Sequence, residues 1–194
     1  MSGTGTIEFI EGDLFQALPE YADKNVVITH VVNNKGGFGS GFVVPLTNKY
    51  PLAKESYLKW FNDRQYSLYT GETVPFELGQ VQFVGVSDDA FGKPATLVAH
   101  MLAQTLGGSR PLYYNHLVNC MNKVRDFVKG MAEALAYKNQ ETVIVAPLFG
   151  GGLAGGNFNF IEKLIEDCWL REGISVKIYY LSHLLPSNWT PPKA

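Results

Sequence analysis

Two β-branched apolar runs, VVITHVVN at 26–33 and TVIVAPL at 142–148, are each closed by a glycine-rich turn, GGFGSGF at 36–42 and FGGGLAGGNF at 149–158. Each turn leads into a helical pattern. A chain that repeatedly passes from strand through a tight turn into helix folds around a parallel sheet with helices packed on it. Glycines in such turns let the backbone approach a ligand closely, and the helix that follows presents unpaired N–H groups to an anion. Two such turns point to a clamp for a pyrophosphate.

Further strand patterns fall at Ile7–Ile10, Val26–Val32, Val81–Val86, Thr96–Leu102, Val143–Pro147 and Val176–Leu181. Leu117, Met121, Val124, Val128, Met131 and Leu135 recur at helical steps, as do Ile161, Leu164, Ile165, Cys168 and Trp169. These stripes read as core. A further helix is expected in two pieces, Gly41–Lys49 and Leu52–Phe61, because Pro45 suits a first turn and Pro51 interrupts the chain. The first piece then faces phosphate. Asp63–Phe76 reads as a surface loop with a short strand, and the proline-rich tail 185–194 as irregular, with Trp189 able to pack back on the body. With no repeat and no low-complexity linker, the expectation is a single domain over residues 1–194: a three-layer α/β/α fold with a mostly parallel mixed central sheet.

With 194 residues, 46% of them hydrophobic, the chain can bury a sizeable core. A net charge of -2 with scattered lysines and arginines provides no basic field for non-specific nucleic-acid binding, so phosphate must be held mainly by main-chain dipoles. Cys120 and Cys168 lie within apolar helical patterns and read as buried thiols, which favours a reducing, cytoplasmic location. No apolar run approaches the roughly 20 residues of a membrane span, so no membrane partner is expected. No two histidines have ligand spacing, and no metal or cofactor is expected.

Gly150, Gly152 and Gly155 match the dinucleotide spacing G-x-G-x-x-G, but the following strand, VKIYYLS, carries no acid and few residues remain for further βαβ units. Neither turn ends in the Lys-Ser or Lys-Thr pair of a Walker loop.

Taken in order, IEFIEGDLF, THVVNNKGGFGSGF, APLFGGGLAGGNFNFIEKLIEDCW and VKIYYL resemble the macrodomains, which bind ADP-ribose and its derivatives. Within that family the chain looks most like the yeast-type ADP-ribose 1''-phosphate phosphatases and the terminal ADP-ribose protein glycohydrolases, sharing the short turn after the second strand and a region like KYPLAKESYLKWF. The resemblance implies that the Asp13 carboxylate accepts from the adenine amine with the Leu14 amide beside it. Read without it, Asp13 is a turn or cap residue. It further implies that Asn33, or Asn34 in its place, meets the distal ribose. Gly39, Ser40, Gly41 and Phe42 then wrap ribose and diphosphate, while Pro147, Gly150, Gly151, Gly152 and Leu153 form the second wall. Phe149, Phe158 and Phe160 are candidates to cover a base or sugar, Phe158 foremost.

Catalysis is less legible. The glycohydrolases place an aspartate where this chain has Ala154 and a lysine where it has Ala103 or Gln104, so a lysyl adduct is not supported. His30 stands where the phosphatases also have a histidine, and together with Asn33 it is the catalytic candidate; in a strongly apolar strand it also reads as a hydrogen-bonded core residue. His100 reads as core, and His116 and His183 as surface or cap residues. Three functions stay open: a hydrolase acting on ADP-ribose 1''-phosphate or on ADP-ribosylated protein or nucleic acid, a non-catalytic ADP-ribose reader, and an interaction protein.

Overall fold

The six strand patterns from Ile7 to Leu181 pair into one sheet. The computed structural model describes residues 3–87, 93–134 and 140–193. The chain runs through β1 (Ile7–Glu11), α1 (Leu14–Ala17), β2 (Asn25–Asn33), α2 (Val43–Lys49), α3 (Pro51–Asp63), β3 (Gln65–Ser67), β4 (Thr73–Pro75), β5 (Val81–Gly85), β6 (Thr96–Gln104), α4 (Tyr114–Glu133), β7 (Thr142–Pro147), α5 (Phe158–Cys168) and β8 (Val176–Tyr180). The sheet order is β1-β8-β7-β2-β6-β5, parallel except for the antiparallel β5–β6 edge.

Alternation along β2 splits the core. Val27 belongs with Met121, Ile144 and Ile161 beneath α4 and α5, whereas Val26, Ile28 and Val32 pack with Leu46, Ala53 and Trp60 beneath α2 and α3. The result is the three-layer α/β/α arrangement with a mostly parallel mixed sheet. Both cysteines are free and buried. Burial pushes the Cys120 thiol up to about 12, and burial raises Cys168 as well.

Tyr50 leaves helical space at φ -132 and ψ 83, and Pro51 occupies the first turn of α3, so the two-piece helix forms for the expected reason. Over Asp63–Phe76 the structure has a two-stranded hairpin, β3 with β4, where a single short strand was expected. Trp60 explains the difference: its indole N–H donates to Val74 O at 3.2 Å and its ring meets Tyr66 and Phe76 edge-on, anchoring both strands to α3. In the tail, Trp189 is 4% exposed and packs on Phe9, Phe158 and Tyr180. Leu135, the last position of the α4 stripe, lies outside the described residues. Among the described residues no helix is long and apolar enough to cross a membrane.

Candidate functional site

The strands β7, β2 and β6 are neighbours, so the loops at their carboxyl ends rise from one edge of the sheet. In parallel α/β sheets this is the edge where ligands sit. The first loop (34–42) is tied to the end of β6, from which the third loop (105–113) leaves, by the Asn34 N–H donating to Gln104 O at 3.0 Å, where a register shift sets Asn33 opposite Gln104. The third is tied to the second (148–157) by the Leu112 N–H donating to Ala154 O at 3.2 Å. A Cβ on Gly41 would touch Leu153 Cδ1 at 3.4 Å, and one on Gly37 would touch Leu106 Cδ1 at 3.4 Å. The two glycine bends therefore come together at Gly41 and Leu153. Gly155 is held at φ +70, and a Cβ there would overlap the Ser109 carbonyl and lie 3.0 Å from Arg110 Cα, so only glycine lets the second and third loops abut.

Asn33, the expected ribose contact, makes three side-chain hydrogen bonds within its own loop. Its Oδ1 accepts from the Lys35 N–H (2.9 Å) and the Gly37 N–H (3.0 Å), while its Nδ2 donates to Gly37 O at 2.7 Å. Tyr57, fully buried in α3, closes the same knot by donating to Asn33 O at 2.6 Å and accepting from the Gly36 N–H at 3.1 Å. Burial raises its phenol to about 12. The neighbouring Asn34 keeps a buried Oδ1 without a partner.

Asp13 is the N-cap of α1, its Oδ1 accepting from the Phe15 N–H at 2.8 Å, and it is exposed, whereas Leu14 is buried. Phe15 stacks on Phe42 with centroids 5.4 Å apart, bringing the Asp13 turn against the first loop. Phe42 in turn lies 5.6 Å from the His30 ring.

His30 and His100 face each other across β2 and β6, with His30 Nε2 at 2.7 Å from His100 Nδ1. His100 Nε2 lies 2.9 Å from Ala53 O, and a carbonyl only accepts, so His100 carries its proton on Nε2. Its Nδ1 is then the acceptor, His30 donates from Nε2, and His30 Nδ1 is left as a buried lone pair without a partner. Burial holds His100 down near 4, and burial with its histidine neighbour holds His30 well below the usual imidazole range. Both rings are neutral at physiological pH. Beside them on β5, Gln82 pairs with His100 and donates from Nε2 to Ser56 O at 3.0 Å. His100, expected merely as core, and Tyr57 thus join the site; opposed strand positions link the two histidines, a pairing that requires the register to be known.

Two expectations fail in the second loop. Phe158 is 0% exposed and Phe149 3%, both packed among Phe9, Trp169 and Trp189, so neither offers a face to a ligand. They sit there because α5 begins at Phe158 and turns its apolar stripe inward. Phe160 is 45% exposed and Leu153 76%. Gly39, Ser40, Gly41 and Gly152 are exposed, Gly150 and Gly151 buried, and Pro147 half-buried at the end of β7. Ala154 and Ala103 are buried, so no carboxylate or amine occupies those two places.

A mixed six-stranded sheet of this order, with glycine bends meeting at the carboxyl ends of its central strands, is a macrodomain fold. The chain is 29% identical to a macrodomain protein from Streptomyces coelicolor, with a TM-score of 0.67 over 90% of this chain and 98% of that one. It superposes on Thermosipho africanus DarTG, solved in complex with ADP-ribose, at a TM-score of 0.66, 16% identity, and 97% and 44% coverage, a likeness of fold alone. Over 121 residues it is 23% identical to the ADP-ribose 1''-phosphate phosphatase of Candida albicans, covering 61% of this chain and 76% of the yeast protein. No protein-family model matches the chain. Its fold is that of the macrodomains.

Proposed function

We propose that the protein binds ADP-ribose, or a derivative of it, across the converging glycine bends. The observation that supports this is the meeting of the two glycine bends at one edge of the sheet, the first bonded to the end of β6 at Gln104, the second bonded to Leu112 of the third loop, and Leu153 lying against Gly41. Main-chain amides in such bends recognise a diphosphate without cations. Asp13, with one carboxylate oxygen used in its cap, offers the other to an adenine amine, with the Leu14 amide beside it. Asn34 takes the ribose-facing role in place of Asn33, whose amide shapes the loop.

The similarity to a phosphatase supports hydrolysis of the terminal phosphoester: water attacks phosphorus, the bond to the sugar oxygen breaks, and ADP-ribose and phosphate leave. His30 Nδ1, buried and without a partner in the free protein, then serves as an acceptor once the attacking water is admitted beside it, its proton state set by His100. Removal of ADP-ribose from a modified protein or nucleic acid is the related activity. The reader function has its own support, because Ala154, Ala103 and Gln104 put neither a carboxylate nor a lysine at those three positions.

Gly152→Ala tests the binding reading, since open space surrounds a Cβ at that exposed position. Thermal stability should hold while ADP-ribose affinity, measured by calorimetry, falls about tenfold as the methyl obstructs the diphosphate. Unchanged affinity would remove the second bend from the site. Phosphate release from ADP-ribose 1''-phosphate, or release of ADP-ribose from modified protein or oligonucleotide, separates enzyme from reader.

A further inference from the structure

None of the chain's 18 acidic residues falls within 33–50, 104–116 or 148–161, the segments that make the three loops and their exits, although those segments contain Lys35, Lys49 and Arg110. In a protein of net charge -2, the three loops themselves thus carry no carboxylate, and the acid placed near them is Asp13 of the α1 turn. Arg110 is the cation most firmly placed there. Its Cα abuts Gly155 in the second loop, and its guanidinium lies 4.5 Å from the centroid of the Tyr114 ring. Tyr114 is itself fixed, its hydroxyl accepting from the Asn157 N–H at 2.8 Å and its ring meeting Phe160 edge-on at 4.7 Å. Among the described ion pairs none involves Arg110, so stacking holds the group while its N–H donors stay free of a carboxylate.

We propose that Arg110 is a specificity residue for a phosphate carried beyond the diphosphate, at the distal end of the ligand. This rests on the ADP-ribose reading of the cleft. A guanidinium stacked on an aromatic face presents its planar edge to a phosphate and forms two parallel hydrogen bonds, which an ammonium does not reproduce. Two ligands supply that chemistry: a phosphate monoester on the distal sugar, and the phosphate of a nucleic-acid end bearing ADP-ribose.

The test is calorimetric titration of wild type, Arg110→Gln and Arg110→Lys with ADP-ribose, with ADP-ribose 1''-phosphate, and with an oligonucleotide ADP-ribosylated on its terminal phosphate. Arg110→Gln should weaken at least one phosphate-bearing ligand by about tenfold and leave ADP-ribose unchanged, with Arg110→Lys restoring only part. Whichever ligand responds identifies the source of the phosphate. Equal losses for all three ligands, or none, would overturn the proposal while leaving the cleft intact. If wild type fails to bind ADP-ribose at all, the underlying reading falls, and this one with it.

Discussion

Tyr57→Phe probes how the first loop is held. The ring is wholly buried, stacked on Phe38 at 5.0 Å, so removing only the hydroxyl preserves packing. The hydroxyl's bonds vanish, its donated proton going to Asn33 O at 2.6 Å and shared with Asn33 Oδ1 at 3.2 Å, and its acceptance from the Gly36 N–H at 3.1 Å making the second bond. At about 1 kcal/mol each, the loss is about 2 kcal/mol, or a fall of about 4–8 °C in Tm for a chain of this size. Ligand affinity should fall further than stability alone explains, because a loosened loop must be ordered on binding at about 1–2 kcal/mol per residue. One or two residues so freed correspond to about a tenfold to hundredfold weaker Kd for ADP-ribose. Thermal melts and calorimetry on Tyr57→Phe are set against Tyr66→Phe, which loses a single bond to Val81 O at 2.9 Å outside the loops and should bind as wild type. Wild-type affinity in Tyr57→Phe despite a lowered Tm would refute the claim that this loop forms the site.

Two further outcomes are expected. Both buried histidines have folded-state pKa values below the unfolded one, so the unfolded chain takes up protons first: their stabilisation is complete above about pH 6.5 and is lost as pH falls toward 4. The groups facing His100 are His30, Gln82, Tyr57 and the Ala53 carbonyl, none of them a carboxylate, and at pH 5 His100 alone accounts for about 2 kcal/mol. Urea midpoints at pH 7.5 and 5 should show this loss reduced in His100→Gln, and an equal acid loss in the variant would refute it. Trp189→Ala should cost about 3 kcal/mol in urea unfolding by opening a void against Phe9 and Phe158, and a change under 1 kcal/mol would show that the tail is not core.

The strands and the long helices were legible because their periods are clean. VVITHVVN is buried on both faces and reads as a central strand, and the α4 stripe repeats at helical steps. The hairpin at 65–75 was not, since its strands are three residues long and are held by Trp60 rather than by their own alternation. Within the site, glycine spacing marks both bends, and the third loop's LGGSRPLYY carries the same kind of signal. Asn33 illustrates the harder limit. Residue type and position marked it as important, but whether its amide serves a ligand or its own loop depends on Tyr57, which is 24 residues away in sequence. Phe158 failed similarly, since the direction of an aromatic at the start of a helix is set by the inward stripe that follows.

The polar groups buried behind the first loop explain how such a loop stays in one place. Apolar contacts between α3 and the sheet are non-directional and do not by themselves set where the helix sits along its axis. His100 reaches Ala53 O, Gln82 reaches Ser56 O, and the next residue, Tyr57, reaches Asn33 and Gly36. The helix is thereby indexed to the sheet at two carbonyls within one turn, and the loop is indexed to the helix at the following side chain. Because every member is neutral, the network avoids the several kcal/mol that desolvating an ion demands, while its directional bonds favour one packing over its near alternatives. The position of the first loop is therefore set from within the sheet, through His100 and Gln82, and a substitution at either shifts the loop from behind.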